Sequence, residues 1–515
     1  MEILLTILLV LTRILDFITE PFFKCAAKNK RLYLPPLKNE DILKINATEL
    51  AKKIRHKKIS ALEVCKAYIQ RIKDVNPILN AIVEDRFREA LREAKQVDAY
   101  LQKTSLTLEE IEKFKPLLGV PVTVKESCGV KGLSLCCGLL SRKGFTAQTD
   151  GEVVAKIKSC GGIILLVSTT PELVISWETW SHVNGYTNNP YNTTCTPGGS
   201  SGGEGALLGS AASLVGIGSD IAGSLRLPAL FNGVFSHKPT PKVVALKGHW
   251  PLGEDPKYQQ FLVIGPLTRY ACDLRLMMNV MCNDKKCAEL KISERVDLKQ
   301  INIFCIEELH DITQPKVSDS IKKAVNESVK YLTEIKGCKL IKYNFMSFNK
   351  AMYICGSELY TLKDIPDALK WENANFWTEL VLSIFWKSRF TLNLMYAYVI
   401  QKIYQCFVGN YTAKYEEMKQ EVLEKLGDNG VIILPTSIGP AHKHNQMFFK
   451  NIYAYLILAN ALGLPASAVP CGLDTNGMPI GVQVIAAPYQ DRLCLAVAEE
   501  LERHFGGWVP PPKKK

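Results

Sequence analysis

The sequence lacks the patterns that define several large classes of protein. Its 515 residues include 34 glycines and 26 prolines without a repeating period, which excludes a collagen-like chain, and the 47% of hydrophobic residues exclude wholesale disorder. No Cys-x-x-Cys pair occurs among the 16 cysteines, so the spacing of a structural zinc site is absent. We therefore predict neither a metal nor any other cofactor, and we interpret the cysteines as buried free thiols.

A strong charge bias is also missing. Lysine and arginine number 63 against 51 aspartates and glutamates, and the resulting net charge of +12 is spread over the chain. No basic stripe interleaved with aromatic residues is present, so we predict no nucleic-acid partner. The same modest basic excess fits an anionic membrane surface equally well.

Only the N-terminus carries a long apolar run, which excludes a multi-span membrane protein. Residues 3–12 are uncharged, and the apolar character continues past Arg13, Asp16 and Glu20. On a helix, Arg13 and Asp16 could pair and lower the cost of insertion. The run is followed by a basic cluster of Lys24, Lys28, Lys30 and Arg31.

This pattern predicts an N-terminal membrane anchor with a basic linker over residues 1–34. We expect a single-pass anchor on an intracellular membrane, with membrane lipid as a partner, and the basic cluster favours a cytoplasmic body. The alternative is a hydrophobic helix that docks on the protein itself.

The remaining residues, 35–515, are predicted to form one α/β domain. Residues 48–99 have apolar side chains at helical spacing, which Pro77 interrupts. Residues 153–159 predict a helix that leads into an apolar run at 161–169, typical of a strand buried on both faces. The alternation of helix and buried strand indicates an α/β fold. Further predicted elements are strands at 118–125, 301–306, 431–435 and 480–486 and a helix at 316–336.

Two segments rich in glycine and serine lie close together in the chain. Residues 198–205 read Gly-Gly-Ser-Ser-Gly-Gly-Glu-Gly, and residues 216–224 read Gly-Ile-Gly-Ser-Asp-Ile-Ala-Gly-Ser. Glycine accepts a positive φ and a close approach of other backbone. Successive peptide N–H groups in such turns converge on one point, which suits an anion or a developing oxyanion.

The residues alone leave several interpretations of these segments. A phosphate loop needs a lysine where Ser224 stands, and a dinucleotide-binding turn needs glycine or alanine where Ile221 stands. A nucleophile elbow, Gly-x-Ser-x-Gly, fits Ser200 or Ser201 but needs a histidine. A purely structural turn with exposed serines is a further interpretation. The histidines that could serve an elbow are His442 and His444.

Longer stretches around these segments resemble the amidase signature family. The resemblance rests on GGSSGGEGALL at 198–208, GSDIAGSLRLPA at 218–229 and GVPVTVKE at 119–126, and it extends over residues 40–510. It departs from the family at Ala222, where a glycine is usual. The resemblance implies the amidase signature fold, a large twisted mixed β-sheet core flanked by helices on both faces.

The resemblance also implies a Ser–Ser–Lys triad. Ser224 would be the nucleophile, Ser200 the bridging serine on a cis peptide and Lys125 the base. Because lysine accepts a proton only when neutral, its reference pKa of about 10.4 must fall by roughly 3 units. Burial on the apolar strand that carries Lys125 would supply this desolvation.

An oxyanion site at the turn before the nucleophile is implied as well. Asp220 and Arg226 would brace this turn, and Ser201 would be structural. The predicted donors are the backbone N–H groups of Ile221, Ala222, Gly223 and Ser224.

Substrate specificity has to be inferred from apolar segments. Residues 376–407 are rich in aromatic and aliphatic residues, so a helical hairpin here could line an acyl-chain tunnel or cap a membrane entrance, with a core helix pair as the alternative. Together with the N-terminus, this predicts a membrane-associated serine amidase that takes a lipophilic fatty-acid amide through an acyl-enzyme. The alternatives are a small-amide hydrolase or glutamine amidotransferase A-type subunit of the same fold, and a catalytically silent membrane-tethered scaffold. A homodimer is left open.

Overall fold

The structure is a computed structural model. It describes residues 2–26, 31–253, 255–282, 284–311, 313–360, 362, 365–407, 410–447, 450 and 453–513. Of the predicted basic cluster, Lys28 and Lys30 lie outside the described residues.

Helices and strands alternate along most of the chain. The helices are α1 (Glu2–Ala26), α2 (Glu40–Leu43), α3 (Ala47–Arg55), α4 (Ala61–Leu79), α5 (Phe87–Lys103), α6 (Leu108–Phe114), α7 (Glu152–Ser159), α8 (Gly202–Gly209), α9 (Arg226–Phe231), α10 (Tyr258–Phe261), α11 (Ala271–Met281), α12 (Asp284–Leu290), α13 (Asp319–Lys330), α14 (Ala351–Tyr360), α15 (Ala368–Trp371), α16 (Phe376–Ile384), α17 (Leu392–Phe407), α18 (Thr412–Leu426), α19 (Tyr453–Ala461) and α20 (Asp491–Phe505). The strands are β1 (Ile82–Asp85), β2 (Pro121–Lys125), β3 (Ile163–Ser168), β4 (Trp180–Ser181), β5 (Gly185–Tyr186), β6 (Val215–Asp220), β7 (Phe235–Lys238), β8 (Val263–Thr268), β9 (Asn302–Cys305), β10 (Lys339–Leu340), β11 (Gly430–Pro435), β12 (Ala466–Leu473) and β13 (Pro479–Ala486).

Eleven of these strands form one mixed sheet in the order β1-β3-β2-β6-β8-β7-β12-β13-β11-β9-β10. Strands β3, β2 and β6 run parallel to one another, and so do β11, β9 and β10. The neighbours between these two groups are antiparallel. The sheet therefore has two parallel groups of strands separated by an antiparallel centre, and the edge strand β1 pairs antiparallel with β3.

Helices cover both faces of the sheet. Alternate residues of β11 show this, because Val431 and Ile433 belong to one apolar core whereas Ile432 and Leu434 belong to another. Helices α4, α5, α11, α13 and α20 contribute to the first core, and α9, α14, α18 and α19 contribute to the second. This arrangement confirms the predicted α/β architecture.

Parallel strands β2 and β6 carry the predicted site to one edge of the sheet. Every residue of both strands is buried, including Lys125 at the end of β2 and Ser219 and Asp220 at the end of β6. Val124 pairs with Ile217, so Lys125 and Asp220 both lie at the carboxyl ends of neighbouring parallel strands. In open α/β sheets this edge is where ligands bind.

Helix α1 packs against the rest of the chain. Leu9 is only 3% exposed and belongs to the second core. The Thr6 hydroxyl lies 2.8 Å from the Tyr353 hydroxyl, and the Asp16 carboxylate pairs with Lys450 at 2.8 Å. This docking agrees with the alternative interpretation of the N-terminal apolar run.

Across the described part of the chain, no helix has the length and apolar character needed to cross a membrane. The single-pass anchor predicted from the sequence is therefore not supported. The physical reason lies in α1 itself, whose second half contains Arg13, Asp16 and Glu20.

The elements predicted from periodicity are present with small shifts in their bounds. Residues 376–407 form two helices, α16 and α17, and the apolar run at 161–169 is the fully buried strand β3. Two details of the region 48–99 were wrong. Pro77 lies inside α4, which ends at left-handed Asn80, and the short strand β1 follows where only helix was expected.

Candidate active site

Lys125 is the last residue of β2 and lies where the carboxyl ends of the parallel strands meet the edge of the sheet. It is fully buried. Its Nζ lies 2.8 Å from Ser200 Oγ, 3.1 Å from Ser219 Oγ and 3.3 Å from the Ser219 carbonyl oxygen. The predicted base and the predicted bridging serine are thus in direct contact.

The surroundings of Lys125 shift its protonation equilibrium toward the neutral amine. Burial lowers the pKa of the amine to about 8, because the charged form loses its hydration. In the described residues no ion pair links Lys125 to a carboxylate, and Asp220 pairs with Arg226 instead. Four neighbouring titratable groups act in the opposite direction and raise this pKa, namely Cys128, Cys137, Asp220 and Glu204.

Ser200 lies on a tight turn directly before α8. The Gly199–Ser200 peptide bond is cis, as the family resemblance implied. A Cβ at Gly199 would collide with the Ser176 carbonyl oxygen, so this position requires glycine. Ser200 is almost completely buried, and it lines the same cavity as Ser224. The three predicted catalytic side chains therefore converge on one site.

Ser224 lies on a turn that a buried carboxylate holds in place. Asp220 Oδ1 accepts the Gly223 N–H at 2.6 Å, and Asp220 Oδ2 accepts the Leu225 N–H at 3.1 Å. Arg226 Nε lies 3.2 Å from the same Oδ2. Although burial alone disfavours the charged carboxylate, Arg226 and these N–H donors lower the pKa of Asp220 to about 2.

Arg226 connects this turn to the far half of the sheet. Its Nη1 donates to Gln483 Oε1 at 2.9 Å, and its Nη2 donates to the Leu456 carbonyl at 2.8 Å and to Asn460 Oδ1 at 2.6 Å. A buried charge is tolerated only with such a full set of partners. The Asp220–Arg226 pair therefore braces the turn, as the sequence predicted.

One of the predicted oxyanion donors is already engaged, since the Gly223 N–H donates to Asp220. Ile221 and Ala222 line the cavity. Gly223 has a φ of +101°, and a Cβ there would lie 2.7 Å from Leu456, so only glycine fits. Ala222 is outside the positive-φ region, which explains why alanine can stand where the family usually has glycine.

The side chains that a nucleophile elbow would need are not brought together. Ser201 immediately precedes α8, and its Oγ donates to a carbonyl oxygen of β6 at 3.3 Å. His442 lies 3.2 Å from Glu178, and His444 Nε2 lies 3.2 Å from Asn188 Oδ1. Within the described ranges no histidine bonds to either serine of the motif, so the elbow interpretation finds no base.

Two polar residues beside Lys125 were missed by the sequence analysis. Ser219 precedes Asp220 in the second glycine-rich segment, and this position was a signal that could have identified it. His249 lies in the loop after β7, with its Nε2 2.9 Å from Ser219 Oγ and its Nδ1 2.9 Å from the Pro251 carbonyl oxygen. No motif surrounds His249, so only the fold brings it to the site.

An apolar cavity extends from Ser200 and Ser224 toward α1, α14 and α17. At its polar end it is lined by Ser200, Ser219, Ser224 and His249. The remaining wall is mainly aliphatic and aromatic, and includes Leu9, Trp177, Leu262, Met352, Ile400 and Tyr453. Among the described residues, no group of three His, Cys, Asp or Glu side chains could hold a metal ion.

Comparison with known proteins identifies the family. The sequence profile described as Amidase matches residues 63–495. Fatty-acid amide hydrolase 2 of Homo sapiens is 37% identical over 511 residues, which cover 95% of this chain and 93% of that protein. Fatty-acid amide hydrolase 2-A of Danio rerio is 36% identical, with coverages of 93% and 92%. The chain belongs to the amidase signature family, and it is an amidase that acts on carbon–nitrogen amide bonds.

Solved structures confirm the predicted amidase signature fold. A fatty acid amide hydrolase matches with a TM-score of 0.73 at 22% identity, over 92% of this chain and 87% of that chain. A 6-aminohexanoate cyclic dimer hydrolase complexed with substrate matches with a TM-score of 0.72 at 22% identity, over 91% and 99% of the two chains.

We predict a large effect for one substitution and a small effect for its neighbour in the turn before Ser224. Gly223→Ala forces a side chain into Leu456 at a positive φ, which should lower the free energy of unfolding by about 1–3 kcal/mol and remove most amide turnover. Ala222→Gly removes only a methyl group, so turnover should stay within about threefold of wild type. Urea unfolding and amide turnover measure both effects. If the two variants were equally stable and equally active, glycine would not be required at position 223.

Proposed function

We propose that this amidase hydrolyses fatty-acid amides, with Ser224 as nucleophile, Ser200 as proton relay and Lys125 as base. The single observation that supports the proposal is the 2.8 Å contact between Lys125 Nζ and Ser200 Oγ. In the described residues, no carboxylate forms an ion pair with this amine, and Asp220 pairs with Arg226 instead. A buried neutral amine can accept a proton that a serine hydroxyl does not readily lose.

The proposed reaction begins with two proton transfers. Lys125 takes the proton of Ser200, which takes that of Ser224 as the Ser224 Oγ attacks the amide carbonyl carbon. The tetrahedral intermediate collapses when Ser200 returns a proton to the leaving nitrogen, the carbon–nitrogen bond breaks and the amine departs. Water then gives a proton to the same relay and attacks the acyl carbon. The bond between this carbon and Ser224 Oγ breaks, the relay returns the proton to Ser224 Oγ, and the carboxylic acid departs.

Backbone N–H groups of the turn are the proposed donors to the oxyanion. Ile221 and Ala222 line the cavity next to the nucleophile, which supports this role for their peptide groups. Because the Gly223 N–H already donates to Asp220, we assign it mainly to holding the turn. The Ser224 N–H completes the predicted donor set.

The wall of the cavity supports a lipophilic acyl group. Away from the serines, side chains such as Leu9, Met352 and Ile400 offer an acyl chain apolar contacts and few hydrogen bonds. The relatives named fatty-acid amide hydrolase 2 support the same substrate class. A small polar amide would leave most of this apolar surface unused, which weighs against the small-amide and glutamine amidotransferase alternatives.

We predict that a fluorophosphonate probe labels Ser224. Labelling should disappear in Ser224→Ala and persist in the matched variant Ser201→Ala, because only Ser224 is the nucleophile. Lys125→Ala should reduce turnover of a long-chain primary amide by about 100-fold or more, whereas His442→Ala should have little effect. Mass spectrometry of the labelled peptide and steady-state kinetics measure these outcomes. A wild-type protein that neither labels nor hydrolyses amides would instead support the scaffold alternative.

We predict that residues of α1 affect the choice of acyl chain. Leu9→Trp narrows the cavity, so KM for a long-chain amide should rise about tenfold while KM for a short-chain amide changes little. The control is Leu11→Trp on the same helix, because Leu11 is half exposed. Equal effects of Leu9→Trp on long and short amides would remove α1 from the proposed acyl-binding wall.

We also propose that the protein contacts a membrane surface. Helices α1 and α16 both pack on α17 and expose apolar side chains, among them Phe17 at 82% and Trp377 at 69%. Exposed apolar clusters of this kind suit an interfacial contact, and they lie on elements near the apolar cavity.

Vesicle flotation tests this contact. Phe17→Ser combined with Trp377→Ser should reduce binding to anionic phospholipid vesicles several-fold, because the interface loses two large exposed aromatic groups. Leu106→Ser combined with Phe114→Ser is the matched control, since both residues are exposed and apolar but lie at or next to α6. Undiminished binding of the first double variant would contradict the proposed surface.

A further inference from the structure

His249, Ser219 and Lys125 form a chain of contacts behind the catalytic serines. His249 Nε2 lies 2.9 Å from Ser219 Oγ, which lies 3.1 Å from Lys125 Nζ. All three side chains are buried, at 6%, 1% and 0% exposure respectively. The chain ends at Ser200, whose Oγ lies on another side of the same amine.

The direction of each hydrogen bond follows from the far end of this chain. The Pro251 carbonyl oxygen can only accept, so the Nδ1 of His249 carries a hydrogen and donates to it at 2.9 Å. Burial and the neighbouring Lys125 lower the pKa of His249 to about 3, so the imidazole is neutral. Its Nε2 is then an acceptor, and the Ser219 hydroxyl donates to it.

The direction of the hydrogen bond from Ser219 to His249 determines which groups Ser219 presents to Lys125. A neutral amine has two N–H donors and one lone pair. With its hydrogen held by His249, Ser219 offers Lys125 two acceptors, its Oγ at 3.1 Å and its carbonyl oxygen at 3.3 Å. When both N–H groups are bound there, the lone pair is left for the Ser200 hydroxyl at 2.8 Å.

We infer that His249 is a positioning residue for the amidase reaction: it keeps Ser219 a hydrogen-bond acceptor toward Lys125 and thereby directs the lysine lone pair at Ser200. This inference rests on the proposed role of Lys125 as the base. Without His249, the Ser219 hydroxyl can rotate and donate its hydrogen to the lone pair, in competition with Ser200.

The first test compares two replacements of His249 in the full-length protein. His249→Phe removes the acceptor, so kcat for a long-chain primary amide should fall about 10- to 100-fold, with KM changed much less. His249→Gln offers a carbonyl oxygen to the same hydroxyl and should recover a large part of kcat. Equal losses in the two variants, or a loss confined to KM, would overturn the inference.

The second test combines Ser219→Ala with His249→Phe and compares this double variant with each single variant. If His249 acts through Ser219, the double variant should be no slower than His249→Phe alone, because the competing hydroxyl is gone. A double variant whose loss equals the product of the two single losses would mean that His249 acts by another route.

The pH profile separates positioning from a loosened site. In the wild type, kcat/KM should rise through a pKa of about 8, since only the neutral form of Lys125 is the base. In His249→Phe the maximal kcat/KM at high pH should fall. The pH at which kcat/KM rises should stay the same or become lower, because the freed Ser219 hydroxyl donates a hydrogen bond to the neutral amine of Lys125 and stabilises it. If the substitution instead loosened the packing of the site, water would reach Lys125 and raise its pKa. The rise of kcat/KM would then move to higher pH, which would contradict the inference. The titratable groups facing the amine are Cys128, Cys137, Glu204, Asp220 and His249.

Two controls make failure of the inference distinguishable from failure of the proposed function. His442→Phe alters a nearly buried histidine that contacts neither serine of the motif, and kcat should stay within about twofold of wild type. Lys125→Ala should abolish turnover. If Lys125→Ala stays active, the proposed base is wrong; if it is inactive while His249→Phe matches wild type, only the role of His249 is wrong.

Discussion

The proposed chemistry depends on a lysine amine that is buried and has no carboxylate partner among the described residues. An amine in water or in a salt bridge stays protonated at neutral pH and cannot act as a base. Burial on strand β2 keeps water away from Lys125, and the buried carboxylate of Asp220 pairs with Arg226. The same fold therefore buries the proposed base and keeps this carboxylate from forming an ion pair with it.

The second constraint is the Asp220–Arg226 pair, which is buried completely. Such a pair is stable only if its remaining donors and acceptors are bound, and here they are bound by the turn on one side and by Gln483, Leu456 and Asn460 on the other. The position of the proposed nucleophile is thus set by groups from distant parts of the chain. Local glycine content alone does not determine it.

Much of the site could be predicted because its residues lie in two short segments and one strand. The helix and strand periods gave the α/β class, and the motif gave Lys125, Ser200 and Ser224 through the family resemblance. His249 could not be found in this way, because a single histidine in a loop has no periodicity or spacing. The sequence predicts a membrane anchor at the apolar N-terminus, because composition does not show whether an apolar helix face packs against lipid or against protein. Its internal charges, one of them paired with Lys450, were the relevant signal.

The docking of α1 has a consequence for how the protein is handled. Because Leu9 and Thr12 form part of the cavity wall, α1 belongs to the proposed substrate-binding unit. A preparation trimmed to the sheet-bearing body would have a gap in that wall, which would admit bulk water beside the proposed acyl-binding surface. Kinetic constants from such a trimmed enzyme would describe a differently shaped chamber.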